Sequence, residues 1–196
     1  MSLIKRIYNI ILVKTSIIIY GYVRGKNVSL AGNVILKNKV IIGDNSTLLT
    51  SNDGEIIISE CTSVGKDSWI ASGSGKILIG QECIFGPRVT IVGQNHALKD
   101  VTTKNYLPWD LDDDGHETEL GIRCHVGANV TIVPGVKIGD YCVIAANSVV
   151  TKNFGSGSII AGNPARLLKI KNISKDINES SFLLPPFVHT SRKFWN

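Results

Sequence analysis

The side chains of this chain that can move a proton or hold an ion near neutral pH include four histidines, His96, His116, His125 and His189, and four cysteines, Cys61, Cys83, Cys124 and Cys142. His96 ends the tripeptide Gln94-Asn95-His96, directly after the strand-like run Val89-Thr-Ile-Val. An imidazole there is held by a scaffold just where a loop leaves it, and its pKa suits general acid–base work. Without further context it is also an ordinary surface histidine at a loop start. Asp110, Asp112, Asp114 and Gly115 open like a calcium loop, but Gly121 fills the twelfth position, where a bidentate carboxylate is required. No calcium site is expected. The cysteines lack C-x-x-C spacing and read as reduced thiols, and no cysteine or serine beside a base suggests a covalent acyl-enzyme.

What must position these residues is visible in the spacing of aliphatic side chains. Apolar residues recur at every sixth position through Leu120, Val126, Ile132, Ile138, Ile144 and Val150. Shorter series run Leu30, Leu36, Ile42 and Leu48, then Ile58, Val64 and Ile70, then Ile79, Phe85 and Ile91. A period of six fits neither an amphipathic helix nor a heptad; it fits a triangular coil with one short strand and one turn per side. Sixteen hexads then make about five coils, stacked at roughly 4.8 Å by parallel pairing. Glycine often follows the apolar residue (Gly43, Gly65, Gly80, Gly86, Gly121, Gly127, Gly139), where a tight turn is expected to need a residue free of Cβ. The fourth residue after the apolar one is small or β-branched and includes Cys83, Cys124 and Cys142, so those thiols are expected to pack rather than react.

Composition agrees and excludes other classes. With 196 residues, 43% hydrophobic, only 7% aromatic and 19% charged, the chain is long and apolar enough for one aliphatic, β-rich domain and too apolar for a disordered one. The net charge of +5 is distributed unevenly. Residues 1–40 carry Lys5, Arg6, Lys14, Arg24, Lys26, Lys37 and Lys39 and no acidic side chain, whereas Asp110 to Glu119 is strongly acidic. There is no basic stripe interleaved with aromatics, so nucleic acid is not an expected partner. Ile4, Ile7, Ile11 and Ile18 recur near helical spacing, predicting an amphipathic helix over residues 3–19 that either lies on a membrane surface, caps the core or packs on a neighbouring subunit. Lys14 interrupts the apolar stretch, so it is not expected to span a bilayer. The division expected is 1–24 for this lead-in, 25–164 for the repeats with a long loop at 92–119, and 165–196 for a basic C-terminal segment and tail.

Two stretches bring a family into view: Ile79-Gly-Gln-Glu-Cys-Ile-Phe-Gly-Pro-Arg-Val-Thr-Ile to His96, and Gly121 through Val150-Thr-Lys to Ala161-Gly-Asn-Pro-Ala-Arg166. The chain resembles the hexapeptide-repeat acyltransferases, in the maltose, galactoside and polysaccharide O-acetyltransferase branch. That resemblance implies an all-β fold, a left-handed parallel β-helix of about five coils, with the N-terminal helix, loop and C-terminal extension added to it. It implies acetyl-CoA as acyl donor, a carbohydrate acceptor, a homotrimer with its site between subunits, and a cytoplasmic location at or near the inner membrane face where capsule or other surface polysaccharide is assembled.

Residue by residue, the resemblance makes His96 the general base that takes the proton from the acceptor hydroxyl. The backbone amide of Ala128 is the candidate oxyanion donor. Asn95, Trp109 and His125 are candidate acceptor contacts, Trp109 being read either as an aromatic platform or as an anchor of the loop onto the helix. His125 stands where the family has an aromatic wall, so it is read as wall, packing residue or second titrating group. Ala146, Thr151, Lys152, Arg166 and Lys169 are candidates for the CoA site, and no acidic residue occurs from Thr151 to Lys171. Some β-helical relatives are zinc enzymes that need two histidines five apart; this chain has no such pair, and no metal is expected. The alternatives are an N-acetyltransferase of a nucleotide-linked amino sugar and, in another class, a non-catalytic β-helical scaffold.

Overall fold

The computed structural model describes residues 17–19, 25–51, 53–95 and 116–171. Every hexad apolar residue named above, from Leu30 to Val150, is buried, and so are Cys83, Cys124 and Cys142 four places on. Alternation within each short strand does this: one residue points in, its neighbours point out, and a corner follows.

Strands are numbered in chain order and fall into three sheets, one per side of the triangle. The first holds β1 (Ile17–Ile19), β3 (Asn33–Leu36), β6 (Glu55–Ile58), β9 (Lys76–Ile79), β12 (Glu117–Leu120) and β15 (Lys137–Ile138). The second holds β2 (Ser29–Ala31), β5 (Thr47–Thr50), β8 (Trp69–Gly73), β11 (Thr90–Val92), β14 (Thr131–Ile132) and β17 (Val149–Val150). The third holds β4 (Ile41–Ile42), β7 (Ser63–Val64), β10 (Ile84–Phe85), β13 (His125–Val126), β16 (Val143–Ile144), β18 (Ser158–Gly162) and β19 (Ala165–Ile170). Pairing is parallel throughout except between β18 and β19, and the result is the expected parallel β-solenoid of about five turns.

Three expectations need correcting. Ile17–Ile19, placed in a helix by the spacing of isoleucines, forms β1 and pairs with β3. Three consecutive β-branched residues favour a strand, and an open sheet edge was there to take one. The rest of the expected helix lies outside the described residues. Glu117 and Glu119 belong to β12 and not to the acidic loop, because they alternate with buried Thr118 and Leu120 and pair with cations across the sheet: Lys137 Nζ lies 2.6 Å from Glu117 and 3.7 Å from Glu119.

The corner glycines also have a different reason from the one expected. None of the seven has positive φ; the left-handed residue comes two places later, as Asn45, Asp67, Glu82, Arg88, Arg123, Asn129 and Tyr141. The glycines are required by stacking instead. A Cβ on Gly86 would lie 2.6 Å from the Ala128 nitrogen of the next coil, and one on Gly127 would strike the Ala146 nitrogen. Amide side chains then knit one corner along the axis: Asn27 Nδ2 donates to Asn45 (3.1 Å), Asn45 to Asp67 (3.0 Å), and Asn129 to Asn147 (3.0 Å).

The thiols pack as expected and also bond. Cys83, Cys124 and Cys142 each donate at 3.2 Å to a corner carbonyl of the next coil, from Gly121, Gly139 and Gly155. The Thr62 hydroxyl does the same toward Gly80 at 2.8 Å. Cys142 draws the Cys124 pKa down, but the Cys83 sulfur and burial outweigh it and leave that thiol raised to about 12. Protonated and enclosed, it is no nucleophile at neutral pH.

Candidate functional site

The one long departure from the coil among these strands lies between β11 and β12, and the described residues hold both of its ends. Gly93 donates to the Ala71 carbonyl (2.8 Å), and the Gly93 carbonyl accepts from the His116 amide (3.1 Å). The chain therefore leaves and returns in neighbouring positions of one coil, and the His116 carbonyl at once accepts from Lys76 (2.9 Å). Polar side chains brace this corner. Gln94 is buried and its Oε1 accepts from the Ser74 amide (2.9 Å), while Thr118 donates to Val92 O (3.1 Å) and accepts from the Gly135 amide (3.0 Å). Sequence reading missed these residues, although Thr118 follows from alternation with Leu120. Asn95 is exposed at the departure point; His96 and Trp109 lie outside the described residues.

The remaining candidates come from the last coils. Ala128 and Ala146 occupy the same corner of successive coils, and Asn147 donates to the Ala128 carbonyl (2.9 Å). No acceptor among the described residues engages the Ala128 amide, so it is available as a donor. His125 is exposed on β13 and lies in register with Val143, then Ile159, then Lys169, a line across four strands, or about 14 Å at ordinary strand spacing. Thr151 and Lys152 are exposed just after β17, with Lys152 Nζ 5.7 Å from the Phe154 ring centroid. Arg166 is exposed at the turn of the β18–β19 hairpin and donates to the Ala165 carbonyl at 3.0 Å. His125 and Lys169 thus share one sheet, Ala128 and Ala146 one corner, and Thr151 and Lys152 the end of another side. A shallow hollow of about 370 Å³ lies apart from Ala128, against Glu119, Lys137, Asn153 and Phe154.

Partial burial, helped by the Lys171 cation, holds the His125 imidazole below its ordinary range. As pH falls, the unfolded chain takes up this proton before the folded one. The stability His125 confers is therefore present above the unperturbed value of about 6.5 and lost on going below it. Thermal denaturation between about pH 7 and pH 5 is expected to show a smaller drop in Tm for His125→Asn than for the unsubstituted protein; equal drops would refute the assignment. Among the described residues no three His, Cys, Asp or Glu side chains are grouped to hold a metal, and no helix is long and apolar enough to cross a membrane.

Comparison with known proteins agrees with this architecture. Residues 117–152 match the family model of the bacterial transferase hexapeptide (six repeats). A protein of Lysinibacillus sphaericus named "Probable macrolide acetyltransferase" is 36% identical over 110 residues, 48% of this chain and 59% of that protein. Galactoside O-acetyltransferase of Escherichia coli K12 is 31% identical over 93 residues, 47% of this chain and 43% of that one. The chain thus spans about half the length of the curated relatives it matches. Among solved structures, a point mutant of AntD, an N-acyltransferase from Bacillus cereus in complex with dTDP and coenzyme A, superposes with TM-score 0.65 at 19% identity, covering 82% of this chain and 89% of that one. The period of six over residues 117–152 thus matches the hexapeptide-repeat model, and the fold is a left-handed parallel β-helix like that of the superposed N-acyltransferase.

Proposed function

We propose that the protein is an acetyl-CoA-dependent O-acetyltransferase acting on a hydroxyl of a sugar in a surface polysaccharide or its precursor. What supports it above all is the position of His96, three residues beyond the hydrogen-bonded neck at Gly93, in a chain similar to curated O-acetyltransferases. His96 takes the acceptor proton as the hydroxyl oxygen attacks the thioester carbonyl. The Ala128 amide donates to the oxygen that becomes negative, and the thiol of CoA leaves as the ester forms. Asn95, Trp109 and His125 contact the acceptor. Ala146 lets the pantetheine arm lie against the coil, and Thr151, Lys152, Arg166 and Lys169 face the phosphates of CoA.

Three subunits enclose the site. Support for that comes from the outer face of the third sheet, where Ile41 and Ile84 stand exposed in line with Ser63, His125 and Val143. Two isoleucines open to water on one face are a natural contact between copies. Location at the inner membrane face would bring the basic N-terminal lead-in to use.

The relatives' names specify different acceptors, a macrolide and a galactoside, so the acceptor is decided by experiment. Free thiol release is followed with acetyl-CoA and a panel of sugars, capsular oligomers, nucleotide-linked amino sugars and a macrolide. Release with hydroxyl acceptors of the sugar panel alone is expected. Release only with amino sugars would replace this reading by N-acetylation, and release with none would favour a non-catalytic scaffold.

A further inference from the structure

The outer face of the second sheet differs from the other two. Its six strands contain no Asp, Glu, Lys, Arg or His, whereas the first sheet displays Glu55, Lys76, Glu117, Glu119 and Lys137. Parallel register places Thr47, Trp69, Thr90 and Thr131 in one outward line, one residue per coil. Trp69 is 47% exposed, with the buried Ile70 behind it and the half-buried Ala71 beside it. Among the described residues, the hydroxyls of Thr47, Thr90 and Thr131 have no hydrogen-bond partner, and neither has the Trp69 indole N–H. The line crosses β11, the strand from which the chain departs toward His96.

An indole lying open in a row of unengaged hydroxyls has a definite chemical complement. Its π face takes an apolar disc, such as the C–H face of a pyranose ring, and the flanking hydroxyls take ring hydroxyls at the spacing of the strands, about 4.8 Å. The absence of charge decides between partners. An anionic headgroup, nucleic acid or acidic polymer would find no cation on these strands, and a contact between copies is the outcome that sedimentation distinguishes. The exposed isoleucines of the third sheet are better suited to a copy–copy contact. We infer that Trp69, with Thr47, Thr90 and Thr131, is a platform for a neutral glycan chain, which runs along the axis of the solenoid toward the acceptor site.

This inference rests on the sugar-acceptor reading and narrows it: the acceptor is an oligomer held beyond its reacting residue, not a single sugar. Isothermal titration of the full chain without acetyl-CoA tests it apart from any transfer, using maltose, maltoheptaose and cello-oligomers as neutral probes. Affinity is expected to rise with chain length, and Trp69→Ala is expected to weaken binding of the longest probe about tenfold with little effect on the shortest. Trp69→Phe, which keeps an aromatic face, is expected to recover part of it and controls for folding. Equal binding by Trp69→Ala, or no binding of any neutral oligomer by the unsubstituted chain, would overturn the platform even if acetyl transfer depends on His96. A changed sedimentation coefficient for Trp69→Ala would overturn it in favour of a contact between copies.

Discussion

Replacing His96 by alanine is expected to lower kcat for acetyl transfer by about 10²–10⁴-fold while acetyl-CoA still binds, because a positioned base contributes that much to a proton transfer in the transition state. The donor contacts proposed at Ala146, Thr151, Lys152, Arg166 and Lys169 come from other parts of the coil. Loss of the imidazole should therefore appear in kcat and not in the KM for acetyl-CoA. The pH–rate profile supplies an independent readout. The unsubstituted protein is expected to lose transfer activity on the acid side as the base is protonated, and His96→Ala should lack that limb. Transfer near the unsubstituted rate, with CoA bound, would remove His96 from the mechanism.

The second large effect is on folding. Gly127→Ala is expected to destabilise the protein by about 1–3 kcal/mol, since overpacking against backbone cannot be relieved by a side-chain rotation. The added methyl would meet the Ala146 nitrogen and the Ala145 carbonyl carbon of the next coil. Coils can move apart only by stretching hydrogen bonds, here Gly127 N to Ile144 O at 2.8 Å. Gly155→Ala is the control: nothing lies within 4 Å of a Cβ there, and its effect is expected to stay within about 0.5 kcal/mol, the range of ordinary surface changes. Urea denaturation of both variants decides the matter, and equal midpoints would show that close stacking does not explain the glycine. Because the Ala128 amide follows directly, Gly127→Ala should also slow transfer.

The coil was legible in the sequence because its cause is periodic. Inward residues repeat every six places, so sixteen positions could be named from spacing alone, and all of them are buried. What spacing could not supply is how coils approach one another along the axis. The corner glycines were attributed to backbone conformation, yet the constraint comes from residues of the next coil, such as Ala146 above Gly127 and Ala128 above Gly86. The N-terminal isoleucines misled for a related reason: their spacing satisfies a helix, while an open sheet edge selected the strand. Within the candidate site, Ala128 and Ala146 share a corner. Gln94 escaped because a buried polar residue outside the period is recognised only once its partner is known, whereas Thr118 was available from alternation with Leu120. Trp69 was available in principle, since the residue before an inward isoleucine must face outward.

The division of labour within each hexad also sets what the fold can display. Two of six positions are committed to the interior and one corner position is often committed to glycine, leaving the others open to water and chemically unconstrained by the core. Three flat faces built on one interior therefore carry different alphabets: paired charges on the first, hydroxyls with an indole on the second, aliphatics with an imidazole on the third. Each added coil lengthens all three inscriptions by one character without rewriting the interior. A solenoid of this kind can thus acquire a new ligand by changing one face, while the other two keep their text.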